Sequence, residues 1–191
     1  FVNEEYYYEA IVYLKVKLKQ KDKIDKISKI INNNIPNPLV IIYEFDKQYS
    51  ISTAIKRLSK TEKNKTVVEE SNTTNWLDIS SLSENDKKFI ESISLGKIPY
   101  TNLFDFYKTI NNKIYMFNMS DKIGEYEDIS DKKTLEESKQ ISEKIERLEV
   151  ELKKTLSKIK RESQFNKKME LNVKAVEINK KIEKLKGKLK I

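Results

Sequence analysis

The chain has 191 residues, of which 36% are charged, and its 38 Lys+Arg against 30 Asp+Glu give a formal net charge of +8. It contains no Cys and no His. That composition excludes disulfides, thiolate chemistry, His or Cys metal ligands and every Ser-His or Cys-His nucleophile pair, leaving only an all-carboxylate metal site open.

Apolar residues are only 38% of the chain, which suits a modest core joined to a long solvated helical element. The length accommodates one domain containing both helices and strands plus such an appendage. No apolar run approaches the 18 or so residues of a membrane span, and the start carries no signal-peptide pattern. The expectation is a soluble, cytoplasmic protein. A start at Phe1 rather than Met reads as a fragment or processed product.

In chain order, Glu9 to Leu18 alternates, with Ala10, Val12, Leu14, Val16 and Leu18 on one face and Lys15, Lys17 and Lys19 on the other. This predicts a strand with one wet side, begun by Tyr6 to Tyr8. Ile24, Ile27, Ile30 and Ile31 predict a helix over 22–33 with Asp22 as N-cap. Ile35-Pro-Asn-Pro38 is a rigid extended link. Leu39 to Tyr43 is continuously apolar, the profile of a strand buried on both faces. Asp46 to Gln48 reads as a tight turn into a strand over 49–58, with Tyr49, Ile51, Thr53 and Ile55 on one side. A short β-branched strand at 66–70 and an edge strand at 76–79 follow, with Trp76 expected to plug the core.

Residues 84–95 suit a short helix capped by Ser83 or Asn85, with Phe89, Ile90 and Ile93 inside. The aromatic-rich stretch 100–118 reads as a helix near 100–110 and then a strand, Lys113 to Phe117. Its aromatics are expected to pack in the core rather than to stack on bases. Asp121 to Lys133 reads as an acidic, Gly-containing linker.

From Leu135 onward the pattern changes. Ile141, Ile145, Leu148, Leu152 and Ile159 recur at steps that are mostly 3 and 4, and so do Leu171, Ala175, Ile178, Ile182, Leu185 and Leu189. These are coiled-coil-like helical stripes. The two are out of phase across the twelve residues from Ile159 to Leu171. The break predicts two helices, about 135–162 and 168–190, folded back as an antiparallel hairpin with its tip near Ser163 to Asn166. The competing reading is one helix of about 55 residues, roughly 80 Å long, that pairs with another chain. The fold class is therefore α+β: a small, mostly antiparallel sheet with helices at 1–130, then a helical hairpin arm at 131–191.

All the excess charge lies on that arm. Residues 131–191 hold 19 Lys+Arg against 11 Asp+Glu, and residues 1–130 are neutral. Lys153, Lys154, Lys158, Lys160, Arg161, Lys167 and Lys168 cluster at the expected tip against Glu162 alone. A localised basic patch suits phosphate; a solvated Lys-rich face is the plainer alternative. Phe165 sits among these cations and either packs between the helices or is presented to a partner.

The stretch Lys158-Ile-Lys-Arg-Glu-Ser-Gln-Phe-Asn-Lys-Lys-Met-Glu-Leu-Asn172 resembles the C-terminal signature of a bacterial family, the domain-of-unknown-function family 4391. Ile35-Pro-Asn-Pro, Ile41-Ile-Tyr-Glu-Phe-Asp-Lys-Gln-Tyr with Ala54-Ile-Lys, and Thr74-Asn-Trp76 carry the resemblance over most of the chain. Members of that family are usually encoded beside helicases and DNA methyltransferases. The resemblance thus implies a part in restriction-modification or phage defence, with a helicase or methyltransferase as the expected protein partner. It supplies no catalytic residues.

That setting makes a Mg²⁺ nuclease the first enzyme to weigh. Such a site needs an acidic residue and an Asp/Glu-x-Lys on adjoining strands, to hold the metal and polarise the phosphate. The strands offer Glu44, Asp46, Glu69 and Glu70 but no Asp/Glu-x-Lys. The triplets Asp86-Lys-Lys88 and Glu151-Leu-Lys153 fall on expected helices. Glu44 and Glu69 remain able to meet across the sheet. Gly96, Gly124 and Gly187 stand alone, so no glycine-rich phosphate loop exists. No catalytic residue, metal site or cofactor is assigned. The expected function is a non-enzymatic accessory subunit that grips DNA or RNA backbone with the seven tip cations and Phe165. A protein-binding scaffold and a divergent nuclease are the alternatives.

Overall fold

The computed structural model describes residues 1–62, 65–129 and 131–189. Among these the chain divides into two compact units, Phe1–Asp128 and Ile129–Ile191. The fold is α+β. The first unit is built on a mixed sheet of β1 (Val12–Lys17), β2 (Leu39–Phe45), β3 (Gln48–Leu58) and β4 (Thr66–Thr73), in that spatial order, with β5 (Leu77–Asp78) paired to the start of β3. Only β1 and β2 run parallel. The connection between them is α1 (Ile24–Asn34), as a parallel pair requires a crossover. The β2–β3 hairpin turns on Asp46 and Lys47, and Asp46 takes the positive φ (55°) that a two-residue turn needs at its first position.

Leu39, Ile41 and Tyr43 are completely buried and form the centre of one layer. Val16, Ile24, Ile27, Ile31 and Trp76 pack around them. On the other layer lie α2 (Glu84–Ser92) and α3 (Leu103–Ile123). Phe106, Tyr107, Ile110, Ile114 and Phe117 of α3 are all buried, and Phe89 of α2 stacks on Phe117 at 4.3 Å. The second unit consists of α4 (Lys132–Arg161) and α5 (Phe165–Leu189), packed antiparallel. Ala175, Ile178, Ile182 and Leu189 of α5 are buried at the expected heptad positions.

Several local expectations are corrected. The helix near 100–110 and the strand Lys113 to Phe117 are one helix, α3. Its Asn111, a weak helix former, is buried and bonded to Thr53 Oγ1 at 2.8 Å and Glu70 at 3.0 Å, so tertiary partners offset its weak propensity. The helix ends at Gly124, whose φ of 102° closes it with a backbone bond to Ser120. Asp22 does not cap α1. Lys23 holds that place in a left-handed conformation with no side-chain cap. Ser83, not Asn85, caps α2, in a reciprocal pair with Asp86. Ile90 is exposed. Tyr6 to Tyr8 do not start β1; they close a turn in which Val2 bridges Tyr7 and Asn3 Oδ1 accepts the Glu5 and Tyr6 amides.

That turn serves β3. β3 has eleven residues and β2 seven, and the chain before β2 is Pro36-Asn-Pro38, which has no N–H at either proline to extend the ladder. The β2-facing backbone of the overhang is satisfied otherwise. Tyr107 Oη accepts from the Ala54 N–H at 2.9 Å and donates to Leu39 O at 2.6 Å. Tyr8 Oη accepts from the Lys56 N–H at 3.1 Å. Glu5 O accepts from the Leu58 N–H at 2.7 Å. Residues 54, 56 and 58 are thus bonded in turn by two phenols and a carbonyl. Burial pushes Tyr8 up to about 12, and Tyr107 is raised for the same reason. The Lys56 ammonium, 2% exposed as a residue, closes the same corner on Ile35 O and Asn37 O at 2.7 and 2.8 Å.

Tyr107→Phe leaves the buried Ala54 N–H without a partner and is expected to cost about 1–3 kcal/mol in urea unfolding; an unchanged midpoint would contradict the overhang account. Burial draws Lys56 down to about 8 from its ordinary value. Between those two values the unfolded chain binds the extra proton, so stability rises with pH. Wild type is therefore expected to gain stability relative to Lys56→Met as urea titrations move from pH 7 to 9.5.

Candidate nucleic-acid interface

The seven tip cations lie on the last turns of α4 and the first turn of α5. The Glu162 to Gln164 link reverses the chain between the helices. α4 ends because Glu162 leaves helical geometry, and the Glu162 side chain accepts the Gln164 amide at 2.8 Å. Leu152, Thr155 and Ile159 turn inward along α4. Their spacing places Lys153, Lys154, Lys158, Lys160 and Arg161 on the remaining, outward surface. All seven cations are exposed, and none is ion-paired among the described residues. Phe165 opens α5 and is 75% exposed, so it is presented rather than packed between the helices.

The helix ends sharpen the charge. Lys158, Lys160 and Arg161 stand at the C-terminus of α4, where they complement its dipole. Lys167 and Lys168 stand in the first turn of α5, which holds no acidic residue. There they add to the positive end of the dipole, an unfavourable placement that an anion would relieve.

A second cationic cluster, not singled out from the sequence, lies further along the hairpin. Lys144 and Arg147 of α4 and Lys181, Lys184 and Lys188 of α5 rim a groove of about 420 Å³ floored by Leu148 and Leu185. Its signal was present in the spacing: Lys144, Lys181 and Lys188 stand three or four residues from Leu148 or Leu185, and Arg147 and Lys184 directly precede those leucines, so all five flank the stripe. Between groove and tip, Lys174 pairs with Glu151 at 2.8 Å, which holds that carboxyl below its ordinary range.

The carboxylates weighed for a nuclease are not brought together. Glu44 is opposite Tyr49 and Glu70 opposite Ile55, so the pairs are six steps apart along β3, about 20 Å. Glu44 and Glu69 therefore do not meet across the sheet. Glu44 is bound by Lys15 at 2.5 Å, whose hydrogen bond keeps its carboxyl low. Glu69 takes Arg57 at 3.0 Å and Tyr6 Oη at 2.9 Å. Glu70 accepts from Asn72 and Asn111, and Asp46 is in the turn. Among the described residues no three carboxylates form a group able to hold a metal, and no helix is long and apolar enough to cross a membrane.

Phe165→Ser should leave thermal stability unchanged within about 0.5 kcal/mol, as for other exposed sites. Ile178→Ala, which opens a cavity between α4 and α5, should cost about 2–4 kcal/mol. Comparable losses for the two would mean that Phe165 is packed after all.

No curated protein and no solved structure matches the chain. Residues 1–189 match the family described as Domain of unknown function (DUF4391), which is almost the whole of both units. The chain belongs to the DUF4391 family.

Proposed function

We propose that this protein is a non-enzymatic accessory subunit that grips nucleic-acid backbone with its helical hairpin and docks a protein through its α+β unit. The observation that carries the reading is the tip of the hairpin: seven exposed cations without ion pairs among the described residues, two of them at the positive end of α5. Such a surface is unfavourable to itself and favourable to a phosphate chain. The exposed Phe165 adds a ring that suits stacking on an unpaired base. The groove rimmed by Lys144, Arg147, Lys181, Lys184 and Lys188 extends positive charge along the same hairpin. Recognition of this kind is independent of sequence. The place proposed for it is a bacterial restriction-modification or phage-defence system, with a helicase or DNA methyltransferase as partner.

A second reading, a protein scaffold, draws on Val150, Leu156, Val173 and Val176, apolar side chains that stay exposed on the hairpin and suit another helix.

The test is binding of labelled duplex DNA and RNA across a salt series, with and without Mg²⁺. Log K should fall linearly with log[salt], with a slope of roughly −4 to −6 if most of the tip cations meet phosphates. Each single Lys→Ala at the tip should weaken binding to all sequences alike and reduce the slope by about 1. Reversal of Lys153, Lys154, Lys158, Lys160, Arg161, Lys167 and Lys168 to Glu should abolish binding. Unchanged affinity after reversal would overturn the nucleic-acid reading and leave the scaffold.

A further inference from the structure

The first unit has two sheet edges, and they differ. β1 carries Lys15 and Lys17 on its wet face, the usual guard against a further strand. β4 carries neither Lys nor Pro. Its outer side forms one wall of a cleft of about 720 Å³ between α1 and α3, lined from β4 by Thr66, Val68, Ser71 and Thr73 and from the helices by Asn32 and Asn118.

The backbone of β4 faces this cleft at every second residue. The Thr74 N–H bonds inward to Ile51 O, and Thr73 O, turned the other way, is taken by Asn118 Nδ2 at 2.9 Å. By the two-residue alternation of an antiparallel ladder, Ser71 also turns its N–H and C=O outward. The two asparagines are fixed in orientation. Asn32, 4% exposed, donates through Nδ2 to Ser28 O at 3.0 Å, so its Oδ1 is the end left over. Oδ1 of Asn32 and Oδ1 of Asn118 are both buried and without a hydrogen-bond partner. The cleft therefore sets a free strand edge between two asparagines whose acceptors are unmet in its walls, polar surroundings that suit an added ladder of N–H and C=O groups.

The lining decides among donors. It contains no aromatic ring on which a nucleobase would stack. Among the described lining residues the charged groups are one cation, Lys29, and one carboxylate, Asp25, so the cleft offers no net positive charge to a phosphate. A second folded copy would bring its own flanking helices against α1 and α3. We propose that this cleft binds an extended peptide segment of a partner protein, added as a further strand on β4. The peptide's main-chain N–H and C=O groups pair with Ser71 and its neighbours, between the polar walls that Asn32 and Asn118 supply. The inference extends the protein-docking half of the proposed function; the nucleic-acid half stands or falls separately.

The test selects binders to the whole chain from a phage-displayed library of random twelve-residue peptides. Selected peptides are resynthesised, and hydrogen exchange is measured with and without them. Protection of the β4 amides, and a tenfold or greater loss of affinity on Ser71→Pro, are expected. Proline at an edge position that makes no ladder bond is tolerated by the sheet, and an unchanged melting profile checks this. As a readout independent of any variant's folding, N-methylation of alternate peptide residues should abolish binding while the other set is tolerated. Peptides that protect a different segment would overturn the cleft but keep a docking role for the unit. Failure to select any peptide, or a dimer of the free protein with β4 already protected, would overturn the proposal.

Discussion

The first unit depends on one mismatch of length. β3 outruns β2 by four residues, and prolines stand where β2 would have to begin sooner. A buried strand cannot leave its amides unpaired. Tyr107 from α3, Tyr8 from the N-terminal turn and Glu5 O close the gap in turn. The consequence reaches far in sequence: residues 5–8, 35–39, 54–58 and 107 are tied at one corner, with Lys56 bonded to the carbonyls of the proline link. The packing of α3 and the position of the N-terminal turn follow from satisfying one strand.

Much of this frame was legible. The β2 strand announced itself by five consecutive apolar residues, and α5 by a stripe at steps of 4, 3, 4, 3 and 4. What was not legible depended on distant partners. The strand expected at Lys113 to Phe117 is helix, and the Asn111 that precedes it is held there by Thr53 and Glu70. Three tyrosines in a row read as β-formers, yet Tyr8 is needed as a hydroxyl at the end of a turn. Ser138, Ser142 and Thr155 are buried along α4, though a search for apolar residues alone passes over them. In each case the deciding interaction is tertiary and polar, and periodicity carries no information about it.

The candidate interface was legible for a simpler reason. Charge on a solvated helix needs no partner to be placed, so a run of Lys at a predicted hairpin tip stays at the tip. The second cluster required the two helices to be aligned, because Lys144 and Lys188 are 44 positions apart and become neighbours only in the antiparallel pairing. The β4 cleft required more still. Ser, Thr and Asn have many roles in sequence, and only the fixed amides of Asn32 and Asn118 mark them as acceptors in waiting.

The two units carry their burdens differently. The sheet unit is neutral and has its own aromatic core, while the whole excess of positive charge sits on two helices joined by narrow stripes. Self-repulsion there is a standing load on the hairpin's own folding equilibrium. A polyanion that met these cations more closely in the folded hairpin than in the unfolded chain would shift that equilibrium by mass action. On these terms the arm's rigidity would vary with the counter-charge around it, a dependence for which the neutral sheet unit has no comparable source.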